Sequence, residues 1–183
     1  VFASAPDYET KTSYTATVTA SDGTNSTTQN ITVNVTNVND VAPVFTSSST
    51  FSAAENQTAI GTVTITDDGG SITYEVLGQD KDHISIDSSS GVLTFNSAPD
   101  YESENTYFIT VQANDGVFTT AQTITINVTN VNESPSFTTS ATFNVEENQT
   151  GIGIVRANDP ENDTLTYCNH FSSHGGVFTG ILR

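Results

Sequence analysis

The chain lacks most of what would tie a small domain together covalently. One cysteine, Cys168, occurs in 183 residues, so no disulfide forms within it. Tryptophan and methionine are absent, which removes the largest core side chain and the usual filler of irregular gaps. Basic residues number 4 against 21 acidic ones, a formal charge of −17. Nucleic acid and anionic lipid both select a basic face, so both are poor partners and no nucleic acid is expected. No apolar run reaches the roughly 18 residues of a membrane helix, so this segment has no direct membrane insertion. A secretory leader is missing too, which places any export signal outside the segment. A small module without disulfides needs another staple, and bound metal is the usual one. What the chain does have is threonine, serine, asparagine and repetition.

Residues 31–40 read ITVNVTNVND and residues 124–133 read ITINVTNVNE, 93 positions later. Ile31, Val33 and Val35, like Ile124, Ile126 and Val128, alternate with polar residues, the pattern of a strand with one buried face. Each strand runs into an Asn-Val-Asn-acid linker that ends at a proline, which cannot donate to a ladder. Pro6-Asp7-Tyr8-Glu9 recurs as Pro99-Asp100-Tyr101-Glu102, and Ala20-Ser21-Asp22-Gly23 as Ala113-Asn114-Asp115-Gly116. Glu55-Asn56-Gln57-Thr58 recurs as Glu147-Asn148-Gln149-Thr150, 92 positions on, because the second linker is one residue shorter. Such self-similarity predicts tandem modules of roughly a hundred residues.

Residues 1–39 read as the C-terminal half of a module, opening on a strand end at Val1-Phe2; equivalents of 42–93 are expected upstream. Residues 40–131 read as one complete module. Seven strands are predicted in it, at 49–53, 60–66, 72–77, 84–86, 92–95, 106–113 and 121–128, with turns every 8–12 positions as in an all-β sandwich. The predicted inward residues are Val63, Ile65, Ile72, Tyr74, Val76, Ile84, Ile86, Ile109, Val111, Ile124, Ile126 and Val128. Residues 132–183 begin a further module. Phe143, Val145, Val155, Ala157, Leu165 and Tyr167 repeat its first three strands, and from about residue 168 the repeat is lost in an anomalous tail. Cys168, His170 and His174 offer three transition-metal ligand types there, outside any repeated motif. Sequons begin at Asn25, Asn30, Asn34, Asn56, Asn127, Asn148 and Asn162; in so Asn/Thr-rich a chain, most follow from composition.

The acids recur in register with the repeat, which a merely solvated surface would not require. Ca²⁺ takes about six to eight oxygen ligands from carboxylates, Asn amides and carbonyls. At the second junction, antiparallel strands can return Glu55, Asp100, Glu102, Asn132, Glu133, Asp159 and Glu161 to one end of a sandwich. Without a cation those carboxylates repel one another.

At these motifs the chain resembles cadherin repeats. The family's acid after the first strand corresponds to Glu55 and Glu147, its Asp-Arg/Tyr-Glu motif to Asp7-Tyr8-Glu9 and Asp100-Tyr101-Glu102, and its Asp-x-Asp pair to Asp159-Pro160-Glu161. Its Ala-x-Asp-x-Gly motif corresponds to Ala20–Asp22 and Ala113–Asp115, and its linker to residues 37–45 and 130–137. The resemblance covers residues 1–167. It implies tandem Greek-key, seven-stranded β-sandwiches of the cadherin/Ig-like kind, one complete and two partial, with up to three Ca²⁺ ions per junction. The first junction would then use Asp7, Glu9, Asn39, Asp40, Asp67 and Asp115. Departures are specific. Asn37 and Asn130 replace the linker's first acid, Val41 and Ser134 replace its second Asn, and Asp67-Asp68-Gly69 breaks the Asp-x-Asp spacing. Fewer or weaker ions are expected at the first junction, and the substitutions look more like bacterial surface-protein repeats.

Two functions follow. One is a non-enzymatic, calcium-rigidified rod segment of a membrane-anchored adhesin. It would work at the cell surface, with calcium, neighbouring repeats and homophilic or cell-surface glycan partners. The alternative is a spacer or glycan-binding accessory module of a secreted polysaccharide-active enzyme. The absence of Trp counts against the alternative, and a cluster of exposed Tyr and Phe would favour it.

Overall fold

The repeat in sequence is also a repeat in register. In the computed structural model, which describes residues 1–149, 151 and 153–168, β1 (Ser13–Ser21) and β2 (Ser26–Asn34) form an antiparallel hairpin. The central segment continues with β3 (Val44–Phe45), β4 (Thr50–Ala54), β5 (Ala59–Thr62), β6 (Ile65–Thr66) and β7 (Thr73–Leu77). It ends with β8 (Ile84–Ile86), β9 (Val92–Phe95), β10 (Thr106–Asn114) and β11 (Thr119–Thr129). Ser13 faces Asn34 in the first hairpin as Thr106 faces Asn127 in the last, each residue displaced by 93. No helix forms among the described residues.

One sheet has the order β4-β11-β10-β7, with β4 parallel to β11 and the other pairs antiparallel. The facing layer is β5-β9-β8 together with β3-β6. The predicted strand over 60–66 is interrupted: β5 pairs with β9 through an irregularity between Ala59 and Gly61, and β6 pairs with β3. With β5 and β6 as one strand, and β3 and β4 as a first strand divided between the layers, the segment is a seven-stranded sandwich.

Alternation decides what lies between the layers. Tyr107, Ile109, Val111 and Ala113 of β10 and Ile124, Ile126 and Val128 of β11 are buried, while the residues between them are not. Val63, Ile84, Leu93 and Phe95 meet them from the other side. Ile65, Tyr74, Val76 and Ile86, predicted inward, sit at the half-buried margin. Leu93, Phe95 and Tyr107 belong to the core although the inward set omitted them. Asp80 is buried and clips the 78–83 turn to β10. Its carboxylate accepts the Phe108 N–H at 2.6 Å and its own N–H donates to Phe108 O at 3.2 Å.

The flanking segments behave differently from the centre, and the strand partners explain why. The apolar face of the first hairpin is open: Val18, Ile31 and Val33 are exposed where their repeats Val111, Ile124 and Ile126 are buried. No strand forms at Val1-Phe2; Phe2 instead stacks edge-on against Tyr14, centroids 4.9 Å apart. In the third segment β12 (Ser136–Phe137) pairs with β13 (Ala157–Asn158) as β3 pairs with β6. The predicted strands around Phe143–Val145 and Leu165–Tyr167 do not form among the described residues. Their counterparts β4 and β7 are zipped to β11 and β10. His170 and His174 lie outside the described residues, and Cys168 is exposed.

Candidate metal centre

The second junction is built around Glu55, which is 2% exposed. β4 ends there because Asn56 takes a left-handed φ of 62°, a conformation that Asn tolerates better than most residues. The Glu55 carboxylate then accepts two backbone N–H groups, Val131 on Oε1 at 2.7 Å and Tyr101 on Oε2 at 2.8 Å. One side chain thus ties the end of β4 to the turn before β10 and to the linker after β11. Asp100 shapes that turn by accepting the N–H groups of Glu102 and Ser103 and the Ser103 hydroxyl. The Ser103 hydroxyl is the main reason its carboxyl lies below the ordinary value. Glu102 is thereby presented outward. From the far side, the turn that follows β13 presents Glu161.

Glu55, Glu102 and Glu161 each offer an oxygen within 4.8 Å of the others. Glu133 lies one bond away: its N–H donates to Glu161 Oε1 at 3.3 Å and its carboxylate accepts the Asn56 amide at 2.7 Å. Asn132 donates to Glu133 O. Asp159 is buried and accepts the Asp163 N–H at 3.1 Å. Desolvation holds the Glu102 carboxyl above its ordinary pKa against its own backbone N–H, and the charges of Glu55, Glu161 and Asp100 raise it further.

The first junction repeats the arrangement with a changed residue. Glu9, Asp40 and Asp68 bring oxygens within 4.8 Å of one another. Asp68, absent from the sequence-based set, accepts the Asp40 N–H at 3.2 Å, as Glu161 accepts that of Glu133. Both bonds span 28 residues. Counting from the linker would have found Asp68, whereas counting from the first acid of the motif pointed to Asp67. Asp67 accepts the Gly69 N–H. Asp7 caps its own turn through Thr10 and Glu9, and those bonds, the Thr10 hydroxyl first, lower its pKa. The Glu9 carboxyl is raised: its own N–H pulls it down, but desolvation, the Asp7 contact and the charges of Asp40 and Asp68 outweigh that.

Asn39 and Asp115 lie against Gly70, where an added Cβ would meet Asp115 O at 2.5 Å and Asn39 Nδ2 at 3.3 Å. Burial pushes the Asp115 carboxyl up, yet the N–H groups of Phe118 and Val117, with Asn39, leave it below its ordinary value.

This donor set fits a hard divalent cation. Buried side-chain oxygens without a hydrogen-bond partner include Asn39 Oδ1, Asp67 Oδ1, Asp68 Oδ1 and Asp115 Oδ2 at the first junction and Glu161 Oε2 at the second. Buried acceptors are normally satisfied. Among the described residues the ion pair present is Lys81–Asp82, so no basic side chain neutralises either group. All the donors are oxygens, which calcium prefers and zinc does not require.

The family model described as Cadherin domain matches residues 49–129. Protocadherin Fat 4 of Homo sapiens is 31% identical over 97% of this chain, and cadherin-related family member 1 of Xenopus laevis is 30% identical over 88%. The chain spans only 4% and 22% of those proteins. The PcdhgB3 EC1-4 structure superposes with a TM-score of 0.63 at 26% identity, covering 86% of this chain and 42% of that one. The expected likeness to bacterial proteins is not borne out, because these relatives are vertebrate. The accessory-module alternative gains no support, since Phe108 is the one exposed large aromatic within 40–131. Motif, sandwich and relatives agree, and the chain belongs to the cadherin repeats.

Proposed function

We propose that this chain is a calcium-stiffened segment of an extracellular array, in a membrane-anchored protein that serves adhesion at the cell surface. It is read as the end of one repeat (1–39), a whole repeat (40–131) and the start of a third (132–183). The observation that carries the reading is the pair of carboxylate groups at the two linkers, each closed to within 4.8 Å with no basic side chain between them. At the second linker Glu55, Asp100, Glu102, Asn132, Glu133, Asp159 and Glu161 would hold the ions. At the first they would be held by Asp7, Glu9, Asn39, Asp40, Asp67, Asp68 and Asp115. Bound calcium supplies the positive charge that offsets repulsion among these acids. The residues themselves bring oxygens from two modules and the linker between them to one place, so occupancy favours the ordered linker over the disordered one.

Small-angle scattering of the chain in EDTA and then in millimolar calcium tests this. The expected result is a longer, stiffer particle in calcium, with calorimetric heat for more than one ion. An unchanged particle and no heat would sink the proposal. A finer expectation concerns the first linker: Asp68→Asn should weaken calcium binding there about tenfold, while Asp82→Asn, remote from the group, leaves it unchanged. Equal titrations for all three chains would remove Asp68 from the ligand set.

A further inference from the structure

Asn37 and Asn130 stand where the family resemblance places an acid, and the two make different bonds. Asn37 Nδ2 donates to the backbone carbonyl of Asp68 at 2.6 Å, on the downstream side. Asn130 Nδ2 donates to Glu102 Oε1 at 2.9 Å, on the upstream side. Around Asn130 the bonds run in both directions. Val131 N–H reaches back to Glu55, Glu133 N–H reaches forward to Glu161, and the Asn56 amide grips the Glu133 carboxylate. Linker residues 37–40 bond downstream, Asn37 and Asp40 to Asp68 and Asn39 toward Asp115, and none to Glu9 or Asp7. An acid at position 130 would face Glu102 as a like charge, whereas the amide donates to it. Hydrogen bonds to charged groups are stronger than neutral ones.

We propose that Asn130 is a positioning residue that, with Asn56, braces the second linker through neutral amide donors, so that this linker stays ordered when divalent cation is withdrawn. The proposal rests on the calcium reading only in calling the other state of the linker cation-bound. The brace itself is a property of the cation-free chain.

Amide hydrogen exchange of the whole chain in EDTA tests it. In the wild type Val131 and Glu133 should remain protected from exchange. Asn130→Ala should speed exchange at Val131 and Glu133 about tenfold, the loss of one charge-assisted hydrogen bond. Asn130→Asp should speed it further, and added calcium should reverse that effect. Unchanged exchange at Ile124 and Ile126 in both variants would show that the sandwich remains folded. Wild-type rates at Val131 and Glu133 in Asn130→Ala would overturn the brace, as would unprotected exchange at both amides in the wild type. If calcium leaves every rate unchanged, the calcium reading fails while the EDTA comparison still decides the brace.

Discussion

Glu55→Ala should unfasten the second linker and lower the stability of the sandwich by about 2–4 kcal/mol, because two backbone N–H groups lose their acceptor and a buried side chain is deleted. The N–H groups are those of Tyr101 and Val131, held at 2.8 and 2.7 Å. Urea unfolding in EDTA, followed by far-ultraviolet circular dichroism, measures this loss without calcium in play. Glu102→Ala is the instructive contrast. Glu102 also belongs to the three-carboxylate group, but it is exposed and accepts from a side chain, Asn130. It should leave the EDTA midpoint near that of the wild type and weaken calcium binding alone. If Glu55→Ala behaved like Glu102→Ala, the structural half of the Glu55 assignment would be wrong.

The second large effect is expected deep in the sandwich. Ile124 is fully buried and faces Ile109 across the β10–β11 pair. Ile124→Ala removes three carbons from a packed core and should cost about 3–4 kcal/mol, a large share of the stability of a domain this size. The repeat supplies an internal control, because Ile31 occupies the same register in the first hairpin but is 42% exposed. Ile31→Ala should therefore cost less than about 1 kcal/mol. Similar losses at both positions would mean that the first hairpin is covered in solution.

The long strands were legible because period-two alternation over Tyr107–Ala113 and Ile124–Val128 has a single reading once one face is buried. Short elements were less so. β9 is four residues long, too short for Leu93 and Phe95 to announce their face, and both lie in the core. The irregularity inside β5, between Ala59 and Gly61, lies beside a contact that no local pattern encodes: Gly61 passes Phe51 so closely that a Cβ there would stand 2.8 Å from the ring. The acids that gather at the two linkers were readable from recurrence. Asp68 was not, because which of two adjacent acids faces a group depends on loop length and backbone path, and the two adjacent glycines, Gly69 and Gly70, obscure both. The third segment failed for a related reason. Phe143 and Val145 carry the pattern of a strand, but a pattern states which face is apolar and not which partner is present.

The pairing of β4 with β11 also decides how one repeat answers a pull along the array. The two strands run parallel, from Thr50 beside Thr125 to Ala54 beside Thr129. A module that begins with one and ends with the other therefore has its entry and exit at opposite ends. Traction from neighbours would draw β4 backward and β11 forward, sliding them along their common axis. The ladder between them is then loaded in shear, with its bonds sharing the force rather than opening one at a time. A peeling geometry would yield at lower load, so the mechanical limit of the repeat should lie in this one seam and fall when a β4 residue is replaced by proline.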